Sequence, residues 1–200
     1  MDMLEPVALA AGLAWASGVR LYAVLFFAGM LANLGYVALP AHLQILTHPA
    51  VLAASGFMFC VEFFADKIPG FDTLWDTVHT FIRIPAGALL AALALADRDP
   101  ALILAAAILG GTLASLTHLT KAGSRALINA SPEPFSNWTA SFGEEALVVS
   151  GLWAALEYPL VFLNGLAIFV LTALWLLPKL WRGLRTVWRR LQGAPRPPRS

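Results

Sequence analysis

Asp72, Asp76, His79 and Arg83 recur at intervals of four, three and four residues, which places all four on one stripe of a helix. Carboxylates and an imidazole lined up in this way can relay protons or ions. In apolar surroundings such groups face a protein interior or a wet cavity, because lipid exposure costs several kcal/mol. The same oxygens and imidazole, from Asp72, Asp76 and His79, offer a metal site, although no recognised ligand signature accompanies them. A third reading is structural, with Arg83 paired to an acid elsewhere in the chain.

A second constellation is written twice. Ala16-Ser17-Gly18-Val19-Arg20 is echoed by Ala122-Gly123-Ser124-Arg125. Ser55-Gly56 followed by Glu62-Phe63 is echoed at the same spacing by Ser150-Gly151 followed by Glu157-Tyr158. This self-similarity reads as a duplicated unit. Arg20 and Arg125 each follow small residues where a helix breaks cheaply. If both helices are interrupted there, two half-helix N-termini and two guanidinium groups converge on an anion. The simpler alternative pairs Arg20 with Glu62 and Arg125 with Glu157, neutralising charge within each unit.

Six apolar runs must position these residues, at about 7–35, 49–65, 74–96, 101–120, 140–157 and 160–178. Most approach the ~20 residues that cross ~30 Å of hydrocarbon, and the short second and fifth read as tilted, broken or re-entrant. Leucine and alanine dominate them, which suits helices. With 59% hydrophobic and 12% charged residues, a soluble domain of 200 residues would lack the polar surface to cover itself. The fold class expected is all-α: a polytopic membrane protein of about six transmembrane helices in two inverted three-helix repeats. The repeats cover about 7–96 and 101–178 of one membrane domain, residues 1–178, and a basic amphipathic tail follows at 179–200. Three segments per unit make the second unit cross in the opposite sense.

Seven of the 13 basic residues lie at or beyond Lys179, and no acid follows Glu157. The positive-inside rule then puts the tail, the 66–73 loop and the 130–138 loop in the cytoplasm and Arg98 outside. Six crossings place both termini inside, at the plasma (inner) membrane. In the tail, Leu180, Trp181, Leu184, Val187, Trp188 and Leu191 can share one side of a short helix after Pro178, laid on the lipids of an anionic inner leaflet. Nucleic-acid binding is not expected of so short a basic patch, and a homo-oligomer is compatible with this reading. The lone Cys60 excludes an internal disulfide, and no cofactor motif is present. Pro132-Glu133-Pro134 marks a stiff bend before the fifth segment. Glu144 and Glu145 sit one turn inside that segment, where the helix dipole stabilises them. His118 and Lys121 flank the inner end of the fourth.

The stretch from Phe64 to Arg83, continuing into Ile84-Pro85-Ala86-Gly87-Ala88, resembles a bacterial family of multi-pass membrane proteins known only as a domain of unknown function. The resemblance runs over about residues 10–177 and includes Ser17-Gly18-Val19-Arg20 and Ser131-Pro132-Glu133-Pro134-Phe135-Ser136-Asn137. It implies a membrane location and no activity.

The residues themselves point to a small secondary transporter or lipid translocator for an anionic substrate, coupled to protons. Its expected binding groups are Arg20, Glu62, Asp72, Asp76, His79, Arg83, Arg125 and Glu157. The alternatives are a metal-dependent intramembrane enzyme acting on a phosphate-bearing lipid, and a non-catalytic membrane scaffold.

Overall fold

The computed structural model describes residues 3–68, 70–129 and 134–191, and within them six α-helices and one short 3₁₀ helix carry nearly the whole chain. The helices are α1 Leu4–Asn33, α2 Pro49–Ala65, α3 Phe71–Ala94, α4 Pro100–Ile128, α5 Pro134–Glu157 and α6 Pro159–Leu191, with the 3₁₀ turn Ala41–Thr47 before α2. Proline opens four of the six, at the position where its missing N–H costs nothing. Asp99 caps α4 by accepting the Ala101 amide at 2.8 Å, and the His48 ring does the same for α2 through Ala50.

Contacts fix the direction of each helix. Met3 and Val7, at the start of α1, share an apolar groove with Leu95 and Leu102, at the end of the bundle where α3 gives way to α4. From there Ala14 lies against Gly110, Gly18 lies against Ala114 and Thr117, and the Val19 carbonyl accepts Lys121 Nζ at 3.1 Å, each step further along α4. At Arg20 the helix is broken, with φ −148° and ψ 89°. Beyond it the chain turns back. Tyr22 lies beside His79, Phe26 beside Gly56 and Phe59, and Gly29 beside Leu46 and Leu52, so the second half of α1 runs antiparallel to α2. The 3₁₀ turn that follows rejoins the starting end, where His42 Nε2 meets Asp97 Oδ1 at 3.1 Å.

The remaining helices alternate. On α5, Ser141 and Glu144 face Arg20, Gly151 faces Trp15 and Ala155 faces Gly12, so this helix runs towards the Asp97 end. On α6, Phe162 sits by Gly12, Phe169 by Trp15 and Leu180 by Gly123, so it runs away from that end. Against the six crossings expected, four helices, or five with a bent pair, are long and apolar enough to cross a membrane among the described residues. By length and composition α1, α3, α4 and α6 are candidate spans, and the bent pair of the 3₁₀ turn and α2 would be a fifth. Since α1 folds back on itself, Met3 lies at the Asp97 end and Leu180 at the other.

Two further expectations change, and others lie outside the described residues. No break occurs at Arg125, because α4 continues regularly to Ile128. No separate tail helix begins at Pro178, since α6 runs through it and packs Leu180 and Gly183 along α4 against Gly123 and Leu127. The bend at 131–133, the tail beyond 191 and the side chains of Arg189 and Arg190 lie outside the described residues.

The bundle is apolar outside and charged within. Phe57, Phe81, Leu109, Leu171 and Trp175 are exposed, whereas Arg20, Glu62, Asp66, Asp72 and Arg83 are fully buried. Bilayer hydrocarbon suits such a surface and water does not. Helix α1 lies at the centre, packed on all five others, and small residues let them approach: Gly87 and Gly110 face Ala114 and Ala91, and Gly18 faces the Ala114 backbone. Gly18→Leu is expected to lever α1 off α4 and destabilise the fold by about 1–3 kcal/mol or more. Thermal unfolding in detergent checks this against Gly143→Leu, where nothing lies within 4 Å and no loss is expected.

Candidate functional site: a buried charge layer at the α1 break

Breaking α1 at Arg20 leaves backbone groups without helical partners and aims a guanidinium into the bundle. Lys121 from α4 caps the exposed Val19 carbonyl, and Arg20 Nη2 is held by Asp66 Oδ2 at 2.9 Å and donates to Ser141 Oγ at 2.8 Å. The outer edge of the guanidinium is held more loosely: Nη2 lies 3.4 Å from Glu144 Oε2 and Nη1 lies 3.4 Å from Glu145 Oε1. Arg20 is fully buried, yet its Nε and Nη1 donate no hydrogen bond.

Asp66, at the C-cap of α2, is the hub of this layer. Besides Arg20 it accepts Lys121 Nζ at 2.9 Å and lies 3.8 Å from Arg125 Nη2. Burial pushes its carboxyl up, but Lys121, Arg20 and Arg125 outweigh that and hold it down at about 2. Arg125 is clamped by Glu144 in two parallel bonds, Nε to Oε1 at 2.8 Å and Nη2 to Oε2 at 2.9 Å, while its Nη1 donates to the Asp66 and Asn137 carbonyls. Lys67 turns inward too, with Nζ 2.8 Å above the Phe63 ring and 3.4 Å from Ser141 Oγ.

The α3 stripe builds the adjoining set. Asp72, Asp76, His79 and Arg83 are the buried residues of the first half of α3. Arg83 bridges Glu62 of α2 and Asp76 of its own helix, the latter at 2.8 Å, and lies 3.2 Å from His118 Nδ1. His118 Nε2 lies 2.7 Å from Thr80 Oγ1, which itself donates to the Asp76 carbonyl. Lys121 Nζ, 3.7 Å from Asp76, joins this set to the hub.

Asp72 stands apart. It accepts the Gly70 and Thr73 amides at the start of α3 and both bonds from Asn129 Nδ2, and Asn129 accepts in turn from Asn137. That chain ties together the ends of α3, α4 and α5. His79 is stacked on Trp75, with one ring nitrogen on the Trp75 carbonyl and the other on the Tyr22 hydroxyl at 3.3 Å. Asp72, Asp76 and His79 thus share a stripe but turn to separate partners, and among the described residues no three such side chains gather as a metal site.

Of the residues singled out from the sequence, Arg20, Arg125, Glu62, Asp76 and Arg83 meet in one layer, with His79 at its edge. The pairs within each repeat do not form. Glu62 goes to Arg83 rather than Arg20, and Glu157, exposed at the far end of α5, makes no ion pair among the described residues. Sequence reading missed Asp66, Lys121, Glu144, Glu145, Ser141 and His118. The available signal was Lys121 and Arg125 four residues apart late in an apolar helix, opposite two adjacent glutamates in another.

Neither the curated proteins nor the solved structures include a match to this chain. Residues 7–179, which include the whole charge layer, match the family described as Domain of unknown function (DUF4126), and the chain belongs to that family.

Proposed function

We propose that this protein is a small secondary transporter or lipid translocator for an anionic substrate, coupled to protons. One observation carries the reading: a buried arginine at the tip of a broken helix keeps unused donors and is loosely held on its outer edge by two partly exposed carboxylates. Asp66 and Ser141 occupy Nη2, whereas Nη1 and Nε are left without a hydrogen bond. Here the guanidinium is in reach of an anion once a carboxylate is neutralised, which makes anion binding and protonation the same event.

In this reading α2 to α6 cross the membrane and α1 enters and returns. Lys67, Lys121, Arg125, Lys179, Arg182 and Arg185 gather at the end away from Asp97, which would be cytoplasmic, with the α6 end and tail against the anionic inner leaflet. Helix directions favour an inverted repeat in part: α2 and α5 run oppositely, as do α3 and α6. The first members differ, since α1 folds back and α4 is continuous.

Proteoliposomes containing a pH-sensitive dye, given inward gradients of small carboxylates and phosphates, test the transport arm. A dithionite-quench assay with a fluorescent anionic lipid tests translocation. One of the two should respond, and Arg20→Lys should reduce it at least tenfold, because an ammonium cannot reproduce the planar fork. No response in either assay, or full activity in Arg20→Lys, would sink the reading.

A further inference from the structure

We infer that Glu145 is the proton-binding group that occupies the anion seat at Arg20 and leaves it on protonation, the seat taking a carboxylate or phosphodiester monoanion. This rests on the reading above and assigns its coupling residue.

The carboxylates of the layer are held unequally. Glu62 and Asp76 are locked on Arg83, Asp66 on Lys121 and Arg20, and Glu144 on Arg125 by two bonds. Among the described residues Glu145 makes one ion pair: Oε1 lies 3.4 Å from Arg20 Nη1 and accepts no hydrogen bond. A charge-assisted bond runs to about 2.7–2.9 Å, so this side chain fills the position without being tied to it. Oε1 itself is buried, but the side chain as a whole is 19% exposed, an access to water that Asp66, at 0%, lacks.

Nη2 of Arg20 is taken by Asp66 and Ser141, so the donor left for an anion oxygen is Nη1. In the present structure Nη1 faces Glu145 at 3.4 Å, and Glu144 lies 3.4 Å from Nη2 beside it. Glu144 is retained by Arg125, so Glu145 is the one free to swing out. The charged groups facing it are Arg20 from α1, Lys67 and Asp66 from the α2–α3 connection, and Glu144 from its own helix. Around the break Arg20, Lys67, Lys121 and Arg125 face Asp66, Glu144 and Glu145. Protonating Glu145 raises this set by one positive charge, and binding one monoanion restores it. The buried layer therefore holds the same net charge empty and loaded, which removes the cost of changing charge in a low dielectric. No covalent bond changes: a proton moves from water to a Glu145 carboxyl oxygen as a substrate oxygen takes Nη1 of Arg20.

Proton uptake on ligand binding reads this directly. The purified full chain in phosphatidylcholine nanodiscs, lightly buffered near pH 7, is titrated with formate, whose own ionisation is silent there. A parallel preparation carries phosphatidylglycerol as the lipid source of a monoanion. The wild type is expected to take up close to one proton per chain at saturation, and its affinity should fall about tenfold per pH unit over pH 6–8, as a single linked proton requires. Uptake with formate identifies a free anion, and uptake only with phosphatidylglycerol identifies a lipid headgroup. Glu145→Gln should bind with no uptake and a flat pH profile. Unchanged uptake in Glu145→Gln overturns the assignment of Glu145 and leaves the anion seat standing. Wild-type binding by Arg20→Lys overturns the seat itself. Absence of uptake in the wild type with both probes refutes the inference without any substitution, so it stays testable if a variant misfolds.

Discussion

Arg83→Ala is expected to destabilise the bundle by about 3–5 kcal/mol, the cost of leaving buried carboxylates without their cation. Arg83 is fully buried and is the shared partner of Glu62 and Asp76, and its loss also removes the donor that fixes His118. The effect should exceed that of truncating any exposed residue of α3, such as Phe81, which faces outward at 81% exposure. Chemical unfolding in detergent measures it. The triple change Arg83→Met, Glu62→Gln, Asp76→Asn should recover much of the loss, since it removes both charges together with their partner. A triple variant no more stable than Arg83→Ala would show that packing, not charge, is what Arg83 supplies.

Asp66→Asn should cost a similar amount, about 3–5 kcal/mol at neutral pH, because Arg20, Lys121 and Arg125 then crowd together without their common carboxylate. This variant also has a pH signature. The folded carboxyl sits at about 2, below the ordinary unfolded value of ~3.9. A depressed carboxyl contributes stability that is fully present above the unfolded value and is lost as pH falls through the folded one. The stability gap between wild type and Asp66→Asn should therefore be flat above about pH 5 and narrow by about 2 kcal/mol between about pH 4 and 2. A gap that widens on acidification would contradict the hub role of Asp66.

The local features of this site were legible in the sequence and its long-range partners were not. Four polar residues at helical spacing in an apolar run can satisfy burial only by sharing one face, so the α3 stripe followed from period alone. The break at Arg20 was signalled by Ser17-Gly18 ahead of a charge inside a hydrophobic run. The same signal misled at Arg125. There the arginine lies within the last turn of α4, where its side chain reaches Glu144 and the Asn137 carbonyl without any break. The pair Arg125–Glu157 failed for a geometric reason: Glu157 ends α5, more than three turns beyond Glu144, and it is Glu144, near the middle of that helix, that lies level with the layer. Glu62 and Asp66 are one turn apart on α2, and sequence spacing cannot say which of them faces α1 and which faces α3. The echo between the halves was real as a pattern of residues, and Ser55 and Ser150 each bond back to the carbonyls three and four residues earlier. Their neighbours differ, since Gly56 meets Phe26 and Gly151 meets Trp15, both on α1. The echoed residues lie in an asymmetric bundle, since α1 is broken at Arg20 and α4 runs straight through Arg125.

The account stands on α1 folding back at Arg20, and the side on which Met3 emerges tests that most directly. In a Cys60→Ser background, single cysteines at Met3, Arg98 and Thr186 are exposed to a membrane-impermeant maleimide in intact cells and in inverted vesicles. Met3 and Arg98 should react in the same preparation and Thr186 only in the other, because both halves of α1 open towards the α3–α4 connection while α6 ends at the opposite face. Labelling of Met3 together with Thr186, and apart from Arg98, would mean that α1 crosses the membrane as one span and would contradict the re-entrant break on which the charge layer is built.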